Sequence, residues 1–483
     1  MPSISTLTIA LIIIYLVIIK VVGYFAHRSS KETVEDYFVA GRNTGLIALI
    51  GTLTATKING LALTAAPAFV YRGGILFGQT VIALAIACWL TWYFGPLIWK
   101  KAKAENIITQ AELFGNHYKS PVIYALTVII GLVSVFPFLI VQFVAVGKVF
   151  SSATNHVITY EQAVLLLAIS TGIYVFFGGA RAVIWTDVIQ GLFFLTLIIA
   201  SAVLFTIWAG GLTTGFVTLT EVIPEKLVFN RGNTPVFFEQ VFSWSFAYFL
   251  WPQIFQRTMM GRSEKIVKDA ATWNFAVGFG VKIALLLMGV MGTAMLYGQI
   301  QDSDRLVAEM FNLNFPLGGA LIVVAVFACG MSSIDSILLS VASIFTRDIV
   351  EKFLPNPLSE KAEYKLAQAI SVITLILAVV LTLSSIGRGS LAPLVTFGAT
   401  VATLLLWPTI GVFSWKRSTK IGVISAMFLG LLTLCLTNII ITLDIMPIPI
   451  GSTTVTFFVS LITFIVVSLG SQRFTKLIKE SSL

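Results

Sequence analysis

The sequence predicts an all-α polytopic membrane protein of about thirteen transmembrane helices, and three observations carry that reading. Hydrophobic residues make up 57% of the 483 and charged residues only 11%, with a mean hydropathy of +0.94, far from the balance of a water-soluble domain. Apolar runs of about 20 residues, each enough to cross about 30 Å of hydrocarbon as helix, recur from end to end. The basic residues between the runs alternate in number. With the N-terminus outside, twenty-two of the 31 Lys and Arg, Arg257 among them, fall in inner loops; six fall outside, and Lys20, Lys57 and Lys282 fall within helices. That asymmetry accounts for the net charge of +9 without nucleic acid, and it requires an odd number of spans with the C-terminus cytoplasmic. Nothing alternates as the ten-residue strands of a membrane barrel would.

The first run (5–26) follows a start with no basic stretch and no small-residue cleavage site, so it reads as a retained helix and not a signal peptide. The second (44–71) is interrupted at Ala55-Thr56-Lys57-Ile58-Asn59-Gly60, where poor helix formers surround an ammonium that has about ten apolar residues on either side. Such a break marks a helix whose backbone lines a cavity. Runs at 75–99, 121–150 and 160–178 follow, and Gly178-Gly179 separates the last from a sixth at 184–210, with Asp187 beginning that helix beside Trp185, Thr186 and Gln190. An acid there is either a dipole partner or part of a cation site. The seventh run (235–256) carries a second interruption in Ser243–Pro252, and the eighth (270–299) holds Lys282, for which the sequence offers no partner. In the ninth (317–346) Ser332, Ser336, Ser340 and Ser343 share a helix face, and Asp335 sits mid-membrane. Small hydroxyls also let helices approach closely, which is the plain reading of Ser340 and Ser343. A buried carboxylate requires a partner, and Lys57 is the expected one. Runs at 364–386, 390–413, 419–442 and 451–470 complete the chain.

Other chemistry is thin. Cys88, Cys329 and Cys435 lie far apart within helices without metal or disulfide spacing, and His27, His117 and His156 sit in loops or at helix ends. No phosphate-binding loop points to an ATP-driven pump, and no clustered acid, base and nucleophile points to an enzyme or a cofactor. The longest pieces between runs, 210–234 and 347–363, are loop-sized, so function resides within the membrane.

Four motifs in order give the chain a family likeness: EDYFVAGR (Glu35–Arg42), GGARAVIWTDVIQ (Gly178–Gln190), WPQIFQR (Trp251–Arg257) with RSEKIVKDA (Arg262–Ala270), and GMSSIDSILL with TRDIV (Gly330–Val350). Together they resemble the sodium/solute symporter family of proline, pantothenate, sialic acid, monocarboxylate and sugar cotransporters. The resemblance implies a fold of the leucine-transporter type with inverted 5+5 helix repeats. An additional N-terminal helix (1–26) would precede a first repeat (27–210, spans 2–6) and a second (211–417, spans 7–11), and 418–483 would add two helices and a cytoplasmic tail. It also implies a sodium site made of backbone carbonyls of Ala55 and Ile58, the Cys329 carbonyl, and the Ser332 and Ser333 hydroxyls. A second cation site in some members matches Asp187, Ser332, Asp335 and Ser336. Lys57 and Asp335 depart from the family pattern, and as facing charges they would form a pair or let Lys57 enter the sodium site as a tethered cation.

The solute should bind near the midplane between the broken helices, lined by Asn59, Gly60, Thr64, Gln79, Gln142, Phe246, Tyr248 and Phe249. The expected activity is Na⁺-coupled symport of a small polar or carboxylate-bearing solute. A proton-coupled transporter or uniporter with Lys57 in place of sodium, or a non-transporting membrane sensor, is the alternative. Partners are the solute and membrane lipid, with no nucleic acid, in a monomer or weak homo-oligomer of the plasma (inner) membrane.

Overall fold

The computed structural model describes residues 4–60, 62–388, 391–445, 448 and 450–481. Met1 and Leu483, the ends on which the orientation is written, lie outside the described residues. Ten helical stretches among the described residues are long and apolar enough to cross a membrane, so the protein is all-α, integral and multi-pass.

The principal helices are α1 (Ile4–Arg28), α2 (Leu46–Lys57), α3 (Ala62–Gly73), α4 (Gly78–Ala104), α5 (Pro121–Ala153), α6 (Tyr160–Trp208), α7 (Thr234–Leu250) and α8 (Pro252–Thr258). After them come α9 (Glu264–Leu296), α10 (Pro316–Ser343), α11 (Glu360–Leu383), α12 (Leu391–Thr403), α13 (Leu406–Phe413), α14 (Lys420–Thr442) and α15 (Ser452–Ser481).

Three breaks in this series shape the interior. Ile58 takes extended φ/ψ (−93°, 102°) and stops α2, and α3 restarts the same run at Ala62. Trp251 (φ −55°, ψ 134°) separates α7 from α8 because Pro252 pushes the residue before it out of the helical region. Both interruptions stand where the sequence puts them. The third stands at Gly178-Gly179 as expected: runs 160–178 and 184–210, described together as α6, are two helices that meet at a kink in the non-helical Gly179 (φ 50°, ψ −144°). That backbone geometry belongs to glycine, and a Cβ there would also lie 2.7 Å from the Tyr37 carbonyl oxygen. Helix resumes at Ala180, so Asp187 sits about two turns in and not at a helix start.

The EDYFVAGR segment grips this kink. Asp36 takes Arg181 Nε at 2.7 Å on each carboxylate oxygen, two residues past Gly179. Arg42 donates to Glu35 at 2.8 Å and to the Ile107 carbonyl at 2.6 Å; burial lowers its pKa from the usual value, and Glu35 opposes that shift. The entrance of α2 is tied to the exit of α8 by two backbone bonds, Thr44 N–H to Met260 and Arg262 N–H to Thr44, both 3.0 Å.

At the centre stands α10, buried at every residue from Ile322 to Ser343 and packed by α1, α2, α5, α6, α8 and α11. Gly60, in the α2–α3 break, lies so close to it that a Cβ would come within 3.3 Å of the Val326 carbonyl oxygen. Outward faces are apolar, as with Ile199, Val203 and Ile207 on α6.

Candidate ion and solute site

Where α2 stops, its last carbonyls lack helical partners, and α10 supplies hydroxyls opposite them. Ser332 Oγ lies 3.3 Å from the Ala55 carbonyl oxygen and 3.1 Å from that of Cys329, with one proton to share between them. Ser333 Oγ is fully buried and has no hydrogen-bond partner among the described residues. Leaving a buried hydroxyl unsatisfied costs about 1–3 kcal/mol, and a desolvated hard cation takes such oxygens as ligands. Four of the five expected sodium-site residues are thus brought together or left with free oxygen; the fifth, Ile58, is the extended residue that ends α2. Gly60 N–H, freed by the same break, donates 3.0 Å to Gln142 Oε1 on α5.

A second, larger polar network lies beside this group. Arg257 of α8 is entirely buried and reaches Asp187 of α6 at 3.1 Å. Its Nε donates to Thr52 Oγ1 (2.8 Å), its Nη1 to the Gln253 carbonyl (3.1 Å), and its Nη2 also to Ser336 Oγ. Thr52 passes its own proton to Asp187 at 2.5 Å. Ser336 lies 3.0 Å from one Asp335 oxygen, and the Tyr174 hydroxyl donates to the other at 2.6 Å. Thr56 Oγ1 lies 3.3 Å from Ser336 Oγ. Four elements, α2, α6, α8 and α10, therefore meet at one guanidinium.

This arrangement corrects the expected pairing of Lys57 with Asp335. Lys57 Nζ turns away from α10 and donates to Asn274 Oδ1 of α9 at 2.7 Å, with Cys88 Sγ of α4 at 3.8 Å. Asp335 is held by Tyr174 and Ser336. Among the described residues no ion pair joins Lys57 to a carboxylate. Nor does its ammonium bond to Ser332 or Ser333, so it does not act as a tethered cation between those hydroxyls. The buried ion pair belongs to Arg257, which the charge partition counted as a loop residue. The break at Trp251 sends the chain back into the bundle and carries Arg257 with it.

The solute residues divide. Asn59, Gly60 and Gln142 meet at the α2–α3 break, Thr64 is half-buried on α3, and Gln79 Oε1 is buried with no partner among the described residues. Phe249 spends its ring on Phe94 and Phe255, at 5.9 and 6.4 Å between centroids, and Phe246 stacks on Phe457 at 5.1 Å. Both are packing contacts. Tyr248 lies half-buried against Trp244 and Trp251. Thr52, Tyr174, Arg257 and Asn274 were not singled out by sequence. The available signal was polarity in otherwise apolar helices, strongest for Arg257 six residues past an interruption.

The sequence model of the Sodium:solute symporter family matches residues 37–430. The chain belongs to that family. Among characterised relatives, it is 26% identical to the sodium/pantothenate symporter of Haemophilus influenzae over 435 residues, covering 87% of this chain and 88% of the relative. It is likewise 26% identical to the sodium/proline symporter of Escherichia coli over 456 residues, covering 89% and 88%. A solved Na⁺-coupled sialic acid symporter, substrate-bound and outward-open, superimposes over 96% of this chain and 97% of its own, with a TM-score of 0.78 at 19% identity. MhsT in complex with L-phenylalanine superimposes over 88% and 98% with a TM-score of 0.58 at 14% identity. At those identities the likeness is one of fold, that of the leucine-transporter type. Family and fold are those of transporters and not of enzymes, and this symporter-family member is a secondary transporter of a small polar solute.

Proposed function

We propose that the chain couples Na⁺ entry to the symport of a small polar or carboxylate-bearing solute by alternating access. The carrying observation is the Ser332 hydroxyl between the Ala55 and Cys329 carbonyls, with Ser333 Oγ beside it unsatisfied. Ala55, Ile58, Cys329, Ser332 and Ser333 hold the ion in this reading. Neutral oxygens suit a desolvated monovalent cation that must also be released. The solute sits against the α2–α3 break, where Asn59, Gly60 and Thr64 face Gln142 of α5, and Gln79 in the first turn of α4 adds an unpartnered amide oxygen.

Thirteen spans, the N-terminus outside and the C-terminus cytoplasmic in the plasma (inner) membrane, follow from the partition of basic residues. Within them, residues 27–210 and 211–417 form the two inverted repeats, each opening on an interrupted helix, α2–α3 and α7–α8.

Radiolabelled uptake into proteoliposomes tests the coupling, with Na⁺ and H⁺ gradients imposed one at a time across a panel of neutral and acidic solutes. An inward Na⁺ gradient should concentrate the solute. Accumulation driven by the H⁺ gradient alone would replace the reading with proton coupling.

A further inference from the structure

Ser340, Ser343 and the TRDIV motif have no part in the sites above, yet they border a small cavity of about 10 Å³, room for one water-sized sphere. Its polar lining includes Thr109, Thr127 of α5, Gln256 of α8, Ser340 and Ser343 of α10, and Asp348. Asp348 stands just past α10, where the chain continues as π-helix (Ile344–Val350), a winding often found at functional positions. The hydroxyl protons of this lining are all engaged. Ser340 donates to the Ile337 carbonyl at 2.9 Å, Ser343 to that of Ser340 at 2.7 Å, and Thr127 to that of Ile123 at 2.7 Å. Thr109 and the Tyr124 hydroxyl both donate to Asp348 Oδ1, each at 2.7 Å. Asp348 Oδ2 has no hydrogen-bond partner among the described residues, and neither atom of the Gln256 amide has one, although the two residues are only 4% and 2% exposed. Four hydroxyl oxygens with spare lone pairs, a carboxylate oxygen and an amide oxygen therefore belong to the residues around one space. The neighbouring cations are committed elsewhere. Arg347 divides its guanidinium among Glu112, Glu351 and Glu363 at 3.0, 3.0 and 3.1 Å, and Lys352 lies over the Tyr124 ring at 4.8 Å. Neither lines the cavity, and a buried carboxylate calls for a paired or coordinated cation.

We propose that this cavity binds a single Na⁺, as a cation site set apart from Ser332 and Ser333, with Asp348 Oδ2 and Gln256 Oε1 as its principal ligands. Hard oxygens including one carboxylate are the donor set such a cation takes. Ser333 and Ser340 are separated by about two turns of α10, or about 10 Å along its axis, so an ion leaving the first hydroxyls meets the second group along the same helix. Binding in the cavity stands independently of the Ser332–Ser333 reading. Only the direction of passage, toward the cytoplasm, rests on the proposed orientation.

Radioactive Na⁺ counted at saturation on the purified full-length chain tests the assignment. Asp348→Asn keeps an oxygen for Thr109 and Tyr124 and puts an amide donor where Oδ2 stood, so it should bind one Na⁺ per chain fewer than the native protein. Equal counts overturn the proposal. The same loss should recur when Asp348→Asn is added to a chain carrying Ser332→Ala and Ser333→Ala, whose own deficit belongs to the other site. A loss seen only while those two hydroxyls are present would make Asp348 a support of the first site and also overturns the proposal. Gln256→Glu, made with Asp348 in place, decides the matter if Asp348→Asn does not fold. A second carboxylate in the cavity should lower the half-saturating Na⁺ concentration of one bound ion about tenfold, since ligand charge sets cation affinity. An unchanged Na⁺ dependence in Gln256→Glu overturns the proposal and leaves the cavity to water.

Discussion

Arg257 and Asp187 contact each other at 3.1 Å, and neither side chain has any solvent exposure. Pairing inside a low-dielectric interior seldom recovers the full cost of removing two charges from water. Thr52, Ser336 and the Gln253 carbonyl take three of the four remaining guanidinium donors and so offset part of that cost.

Arg257→Met or Asp187→Asn alone should destabilise the protein by about 3–5 kcal/mol, since each leaves an uncompensated buried charge. The double variant should recover most of that loss. Thermal unfolding in detergent of both singles and the double measures the coupling energy, and simple additivity would mean the two groups do not interact.

Ser333 has a different signature. Its hydroxyl makes no hydrogen bond among the described residues, so Ser333→Ala should leave sodium-free stability nearly unchanged. The apparent Na⁺ affinity of uptake should weaken nonetheless, by about 1–3 kcal/mol if the oxygen is an ion ligand. Uptake as a function of Na⁺ concentration reads the shift, and an unmoved half-saturation point would remove Ser333 from the site.

Gly179→Ala should cost about 1–3 kcal/mol or more, because the residue must keep a positive φ while its new methyl presses on Tyr37. The measurable outcome is a lowered Tm and a lowered yield of folded protein. Ala180→Gly, one residue on within regular helix, should lose only about 1 kcal/mol.

Orientation is tested by single cysteines at Glu225 and Glu360, both on exposed positions, in a chain with Cys435→Ser. An impermeant maleimide should label position 225 on intact cells and position 360 only after permeabilisation. The reverse pattern would overturn the orientation, and labelling of both positions from the same side would overturn the count of spans between them.

The interruptions of α2 and of α7–α8 were legible because propensity acts locally: Thr-Lys-Ile-Asn-Gly and Trp-Pro stop a helix whatever surrounds them. The Ser332–Ser333 pair was reached by another route, the family resemblance, which matched those positions to the sodium site. Partners were not legible. Which side chain Lys57 meets depends on how α2, α4 and α9 are rotated about their axes, and run length carries no information on rotation. Asp187 was singled out but placed at a helix start, and Arg257 was only counted among the basic residues of a loop. Their depth is set by the single-residue turn at Gly179 and by the re-entry after Trp251, so a boundary error of a few residues on each side separated a pair that is in contact.

The backbone link between Thr44 and the Met260–Arg262 stretch has a mechanical meaning when taken with the guanidinium. The half-helices α2 and α8 are stitched together twice, by main chain between Thr44 and the Met260–Arg262 stretch and by the Arg257 side chain to Thr52, midway along α2. Each is also free of its continuation at a one- to few-residue joint, Ile58–Gly60 for α2 and Trp251 for α8. Two rods pinned together twice and jointed to their continuations form one mechanical unit. A load applied at the tip of α2, where we propose the ion sits, would reach α8 through these two links.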